Sequence, residues 1–76
     1  MQRYFFDVVG QNRSEYDYRG REFSSPEKAW QLAELIALDL GIDPQGERAG
    51  WTVKVRDSRG RQFFSMPIGA PDLVAA

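Results

Sequence analysis

The chain of 76 residues contains no cysteine and no histidine. Without cysteine there is no disulfide and no thiolate-bound metal to reinforce the fold. Without either residue, nucleophile and general-base roles would fall to carboxylates, Lys28, Lys54 or hydroxyls. No group of Asp and Glu shows metal-ligand spacing, and no Gly-rich loop precedes a helix to cradle phosphate. The expectation is a protein with no catalytic residues, no metal site and no cofactor. Long apolar runs are also missing, so no membrane span is expected. The N-terminus, Met1-Gln2-Arg3-Tyr4-Phe5-Phe6-Asp7, has neither the apolar stretch nor the cleavage site of a signal peptide, which makes the cytoplasm the expected location. Charge of one sign is missing too. Ten Lys and Arg against eleven Asp and Glu give a net charge of −1, hence no global attraction for nucleic acid or an anionic membrane.

What is present is apolar and aromatic: 42% and 13% of the residues, enough for one core. A chain this short buries only about 60% of the surface its unfolded form exposes, so the core is thin. A single domain over residues 1–68 is expected, followed by a loose tail over 69–76 in which Pro71 and small residues predominate.

Residues 3–9, Arg-Tyr-Phe-Phe-Asp-Val-Val, are aromatic and β-branched and end at Gly10, which predicts a strand. Two-residue alternation puts Tyr4, Phe6 and Val8 on one face and Phe5, Asp7 and Val9 on the other. A weaker strand pair, Glu15–Tyr18 and Arg21–Phe23, is expected to fold at Gly20. Ser24-Ser25-Pro26-Glu27 starts a helix in either of two registers. One is a capping box from Ser24 to Glu27, and the other an N-cap at Ser25 followed by proline. Good helix formers run to Leu40, where Gly41 suits a left-handed closing residue. Ala29, Leu32, Ala33, Ile36, Ala37 and Leu40 make one stripe, and its alanines allow the helix axis to lie close to a sheet.

A Pro- and Gly-containing loop leads to Trp51–Arg56, the turn Asp57-Ser58-Arg59-Gly60 and a returning strand over Gln62–Ile68. A four-residue turn pairs Val55 with Phe64 and Val53 with Met66. The order β-β-β-α-β-β defines an α+β fold: a small, mainly antiparallel sheet with one helix packed on one face. The expected core is Tyr4, Phe6, Val8, Leu32, Ala33, Ile36, Leu40, Val53, Val55, Phe64 and Met66.

Two segments echo each other. Asp17-Tyr-Arg-Gly-Arg-Glu-Phe23 and Asp57-Ser-Arg-Gly-Arg-Gln-Phe63 match at five of seven positions. Asp-x-x-Gly is good turn chemistry, which accounts for the Asp and the Gly without a ligand. It leaves the arginines unexplained.

The opening Arg3-Tyr4-Phe5-Phe6-Asp7, the Asp17–Gly20 turn, the Pro26-Glu27-x-Ala29 helix start and the Val55-x-Asp57-x-x-Gly60-Arg61 hairpin together resemble a family of short alphaproteobacterial proteins without an assigned activity. The resemblance runs from Arg3 to Pro67. Members often carry His at the position of Asp7 and a more acidic turn at Tyr18 and Arg19. The resemblance implies a shared fold and brings no catalytic residues.

Two functional readings remain. The first is a non-catalytic interaction or regulatory module acting as a homo-oligomer, most simply a two-fold dimer. Its candidate interface residues are Phe5 and Val9, on a strand face the single helix cannot cover and the favoured surface of the two, and Leu35 and Leu38, off the helix stripe. The second is binding of anions or nucleic acid by Arg19, Arg21, Arg56, Arg59 and Arg61, which sit on strands and turns while the helix carries the acids. A small ligand near Tyr16, Tyr18 and Trp30 is a third possibility. Asp7, alone in an apolar strand, is expected to meet solvent, Arg3 or an arginine of a neighbouring strand.

Overall fold

A computed structural model describes residues 1–69. Its elements are β1 (Gln2–Val9), β2 (Ser14–Glu15), β3 (Arg21–Phe23), α1 (Pro26–Gly41), β4 (Thr52–Asp57) and β5 (Gln62–Pro67). They form one antiparallel five-stranded sheet with the helix on one face, an α+β fold. The expected tail from residue 70 onward lies outside the described residues. Ile68 is buried and Gly69 sits against Gly41.

β1 is the organising strand. One of its edges takes β4 along nearly its whole length, with Phe6 opposite Val55 and Val8 opposite Val53. The other edge takes β2 opposite Val8 and Val9, then β3 opposite Gln2, Arg3 and Tyr4. The expected hairpin between residues 15–18 and 21–23 is therefore corrected. β2 and β3 are consecutive pieces along one edge of β1, separated by residues 16–20, and do not pair with each other. The turn that reverses the chain is the one at Gly10–Arg13, closed by the Gly10 amide on the Arg13 carbonyl at 2.7 Å. In the second hairpin Val55 pairs with Phe64 and Val53 with Met66, the register expected of a four-residue turn.

The helix starts at Ser25, with Pro26 in its first turn and no side-chain cap bond. That selects the second of the two possible start registers. Gly41 is not the left-handed closing residue: it is the last helical residue, and Ile42 follows at φ −93°. Glycine is needed at 41 for a different reason. A Cβ there would stand 3.0 Å from the Gly69 backbone nitrogen.

The helix buries Ala29, Ala33 and Ala37, four residues apart on one line, against Tyr4, Phe6, Val8, Val53 and Val55. The larger members of the stripe, Leu32, Ile36 and Leu40, pack at the margins and stay half-buried, as do Phe64 and Met66. The expected core was thus too generous to long side chains. The alanines let the axis come close to the sheet, and close approach pushes neighbouring long residues to the flanks. Ile68, expected only as the end of a strand, is 1% exposed and closes the core beneath Gly41.

Candidate functional site

The sheet face away from the helix carries Phe5, Asp7 and Val9 from β1 beside Thr52, Lys54 and Arg56 from β4. Asp7 is 5% exposed there. A bare carboxylate at that depth would be costly, and it is fully partnered. Arg56 Nε donates to its Oδ2 at 2.7 Å and Nη2 to its Oδ1 at 3.4 Å. The Asp17 amide also donates to Asp7 Oδ1, at 2.9 Å. Arg56 then donates from Nη2 to the Asp17 carbonyl at 3.0 Å and lies 4.7 Å over the Phe5 ring. Among the described residues, no buried side-chain polar atom lacks a partner. Asp7 therefore pairs with the neighbouring-strand arginine, and Arg56 is committed to that pair rather than standing free beside the other arginines. The ion pair, in turn, holds the Arg56 guanidinium above its ordinary range.

The network ties down the segment between β2 and β3. Across from Phe6 the edge of β1 has no strand partner, and the Asp17 carboxylate replaces one. The Phe6 amide donates to its Oδ2 at 3.1 Å, while the Arg19 and Gly20 amides donate to Oδ1, each at 3.0 Å. Burial pushes the Asp17 carboxyl up, but the amides of Gly20, Phe6 and Arg19 outweigh it and hold the group below the usual range. Gly20 has φ +73°, and a Cβ would meet Phe5, the Arg3 side chain and the Tyr4 carbonyl at 2.9 Å each. Only glycine lets the chain pass this close.

The second turn repeats the plan. Asp57 is 1% exposed, and its Oδ1 accepts from the Arg59 amide at 2.9 Å and the Arg61 amide at 2.8 Å. The Arg61 amide, with help from that of Arg59, holds the Asp57 carboxyl below its usual range against the push of burial. Gly60 takes φ +84°. Both Asp-x-Arg-Gly-Arg segments are thus built on aspartate-to-amide bonds, which engage the backbones of Arg19, Arg59 and Arg61, and the largely exposed Arg61 side chain also reaches Asp57 at 3.8 Å. Arg19, Arg21 and Arg59 are exposed and form no ion pair among the described residues.

The four candidate interface residues divide in two. Phe5 and Val9 are half-buried, Phe5 lying between the Arg56 guanidinium and Gly20. Leu35 and Leu38 are 62% and 65% exposed on the helix. Ile42, one turn further at 75% exposure, extends the same ridge. The sequence reading placed Ile42 correctly after the helix end and did not connect it with Leu35 and Leu38. Its spacing of four from Leu38 was the available signal.

Tyr16, Tyr18 and Trp30 do not form one cleft. Trp30 packs on Phe64 of β5, whereas Tyr16 and Tyr18 stand beyond the opposite edge of the sheet. A cleft of about 270 Å³ lies among Arg13, Glu15, Glu47, Arg48 and Trp51. Arg48 donates to both Glu15 carboxylate oxygens, at 3.0 and 2.6 Å, and reaches over the Trp51 ring at 5.8 Å. The Arg48 bond draws the Glu15 carboxyl below its ordinary range. Gly10 floors this corner, since a Cβ there would run into the Trp51 ring.

Among the described residues, no three Asp or Glu side chains are placed to hold a metal ion, and no helix is long and apolar enough to cross a membrane.

Residues 3–69 match the family model described as a domain of unknown function, DUF6894. The chain belongs to this family. Comparison with curated proteins and with solved structures gives no match. The match to DUF6894 covers every element from β1 to β5 except Gln2, the first residue of β1, and both Asp-anchored turns.

Proposed function

We propose that this DUF6894 chain is a non-catalytic interaction module of the bacterial cytoplasm that works as a homodimer through the back of α1. The observation that carries the reading is the ridge of Leu35, Leu38 and Ile42. They sit three and four residues apart, each more than half exposed, opposite the buried line Ala29–Ala33–Ala37. Isolated surface leucines are ordinary; two exposed leucines on the helix continued by an exposed isoleucine at its C-cap are not. A second copy suits the ridge because a two-fold axis needs only one self-complementary patch. An antiparallel meeting of two such helices sets Leu35 of one copy beside Leu38 of the other. The sheet face is the poorer candidate, since a charged network already closes it.

The non-catalytic part rests on how the carboxylates are used. Asp7 is neutralised by Arg56, and Asp17 and Asp57 are consumed by backbone amides. None is left beside a second titratable group in a cavity, the usual setting of an acid–base pair.

Sedimentation velocity over a range of protein concentration tests the reading. Wild type is expected to sediment as a dimer at micromolar concentration, and Leu35→Asp with Leu38→Asp as a folded monomer. A folded wild type that remains monomeric throughout would refute it.

A further inference from the structure

We propose that the end of the sheet built by the two Asp-x-Arg-Gly-Arg turns binds single-stranded nucleic acid through its phosphates. The strand register brings the two turns together. Arg21 of β3 lies opposite Tyr4 of β1, and Tyr4 lies opposite Asp57 of β4. The Asp57 amide bonds the Arg61 carbonyl at 2.9 Å, which extends the same row to the start of β5. Arg21 and Arg61 thus stand three strand spacings apart, roughly 14 Å at the usual separation. Arg59 projects from the turn beyond this row. On the other side Arg3 donates from Nη1 to the Arg19 carbonyl at 2.7 Å.

Arg19, Arg21 and Arg59 form no ion pair among the described residues, and Arg61 makes only a long, 70% exposed contact with Asp57 at 3.8 Å. The turns use the amides of Arg19, Arg59 and Arg61, and any residue other than proline supplies an amide. The acids within the same segments are already occupied. Asp17 and Asp57 turn to backbone amides, and Glu22 pairs with Arg3 at 3.4 Å. Glu27 stands in the first helical turn, shortly after β3, while the other acids of the helix and its exit, Glu34, Asp39 and Asp43, lie further along the chain. A net charge near zero thus hides an end rich in arginine.

Guanidinium groups bond phosphate oxygens with two parallel donors, and a row of them suits a chain of phosphates better than one small anion. Tyr18 favours the single-stranded form. It is 86% exposed, stands between Asp17 and Arg19, and offers a ring on which an unpaired base can stack. The site belongs to each chain and does not depend on the helix contact.

The test is fluorescence anisotropy of a labelled thymidine oligonucleotide with the full chain. Contact with about four phosphates predicts saturable binding at about 50 mM salt that weakens roughly 50-fold at about 200 mM. Arg59→Ser with Arg61→Ser keeps both amides, so the circular dichroism spectrum should be unchanged while affinity falls at least about tenfold, the loss of two phosphate contacts. Arg13→Ser, at the far end of the sheet, should bind as wild type. Tyr18→Ala should cost about fivefold or more, the low end for a stacked base. Absence of binding at about 100 μM protein, in the range of ordinary non-specific affinity, would overturn the proposal. So would undiminished binding by the double serine variant, tighter binding of a duplex of the same length, or equal competition by polyglutamate, which would assign the end to an acidic protein instead.

Discussion

The two faces of the sheet are closed by opposite chemistry. On one, Tyr4, Phe6, Val8, Val53 and Val55 lie under a helix that presents alanines. On the other, residues of the same two strands hold the Asp7–Arg56 pair, and the segment from Asp17 to Gly20 is strapped over Phe5. A chain with a single helix can cover one face with apolar packing. The second face needs another solution, and here it is a saturated polar network that anchors a loop. Phe63 apart, the large exposed apolar side chains of the regular elements are therefore not on the sheet. They stand on the helix.

The polar face gives the largest expected loss. Asp7→Ala leaves Arg56 without its partner and removes the acceptor for the Asp17 amide, so it should cost about 3–5 kcal/mol, the usual scale for breaking a buried pair. Urea denaturation measures it. Arg56→Leu tests the complementary case, in which Asp7 is stranded. On the helix side, Ile36→Ala should cost about 2 kcal/mol, the lower end for aliphatic truncation, because Ile36 is only half-buried. If Ile36→Ala costs more than Asp7→Ala, the comparison between the two faces fails.

Acid should act first on the two aspartate-anchored turns. The folded-state carboxyls of Asp17 and Asp57 lie below their ordinary range. Their contribution is complete above the unfolded value of about 3.9 and is lost as pH falls through the lower folded values. Unfolding followed by tyrosine and tryptophan fluorescence should therefore begin below about pH 4. Asp17→Asn should remove part of that pH dependence. The smallest effect on monomer stability is expected from Leu35→Asp or Leu38→Asp, within about 0.5 kcal/mol as for other surface positions.

How much of this was legible depended on distance along the chain. The helix and the second hairpin rest on local signals: Ser25-Pro26, the alanine line, and Asp57 with Gly60. Their positions follow within a residue or two, and so does the pairing of Val53 and Val55. The placement of β2 and β3 was not legible, because pairing with β1 rather than with each other is decided by the turn at Gly10 and by an aspartate standing in for a strand. Asp7 was visible as an anomaly. Its partner lies 49 residues away on β4, and nothing local selects Arg56 from the other arginines. Gly41 misled because its close neighbour, Gly69, is also distant in sequence. Leu35 and Leu38 were readable from helical spacing, whereas Ile42 stands just past the true helix end at Gly41 and was not grouped with them.

The central claim is that the partner surface is the back of the helix and not the far face of the sheet. The chain's lack of cysteine makes the decisive measurement clean. Leu35→Cys and Leu38→Cys, made one at a time, place a single thiol on the ridge, and Thr52→Cys places one on the sheet face beside Val9. Each is oxidised at micromolar concentration and resolved on a non-reducing gel. The account predicts a disulfide-linked dimer from at least one ridge variant and monomer from Thr52→Cys. Cross-linking of Thr52→Cys, with both ridge variants remaining monomeric, would contradict it.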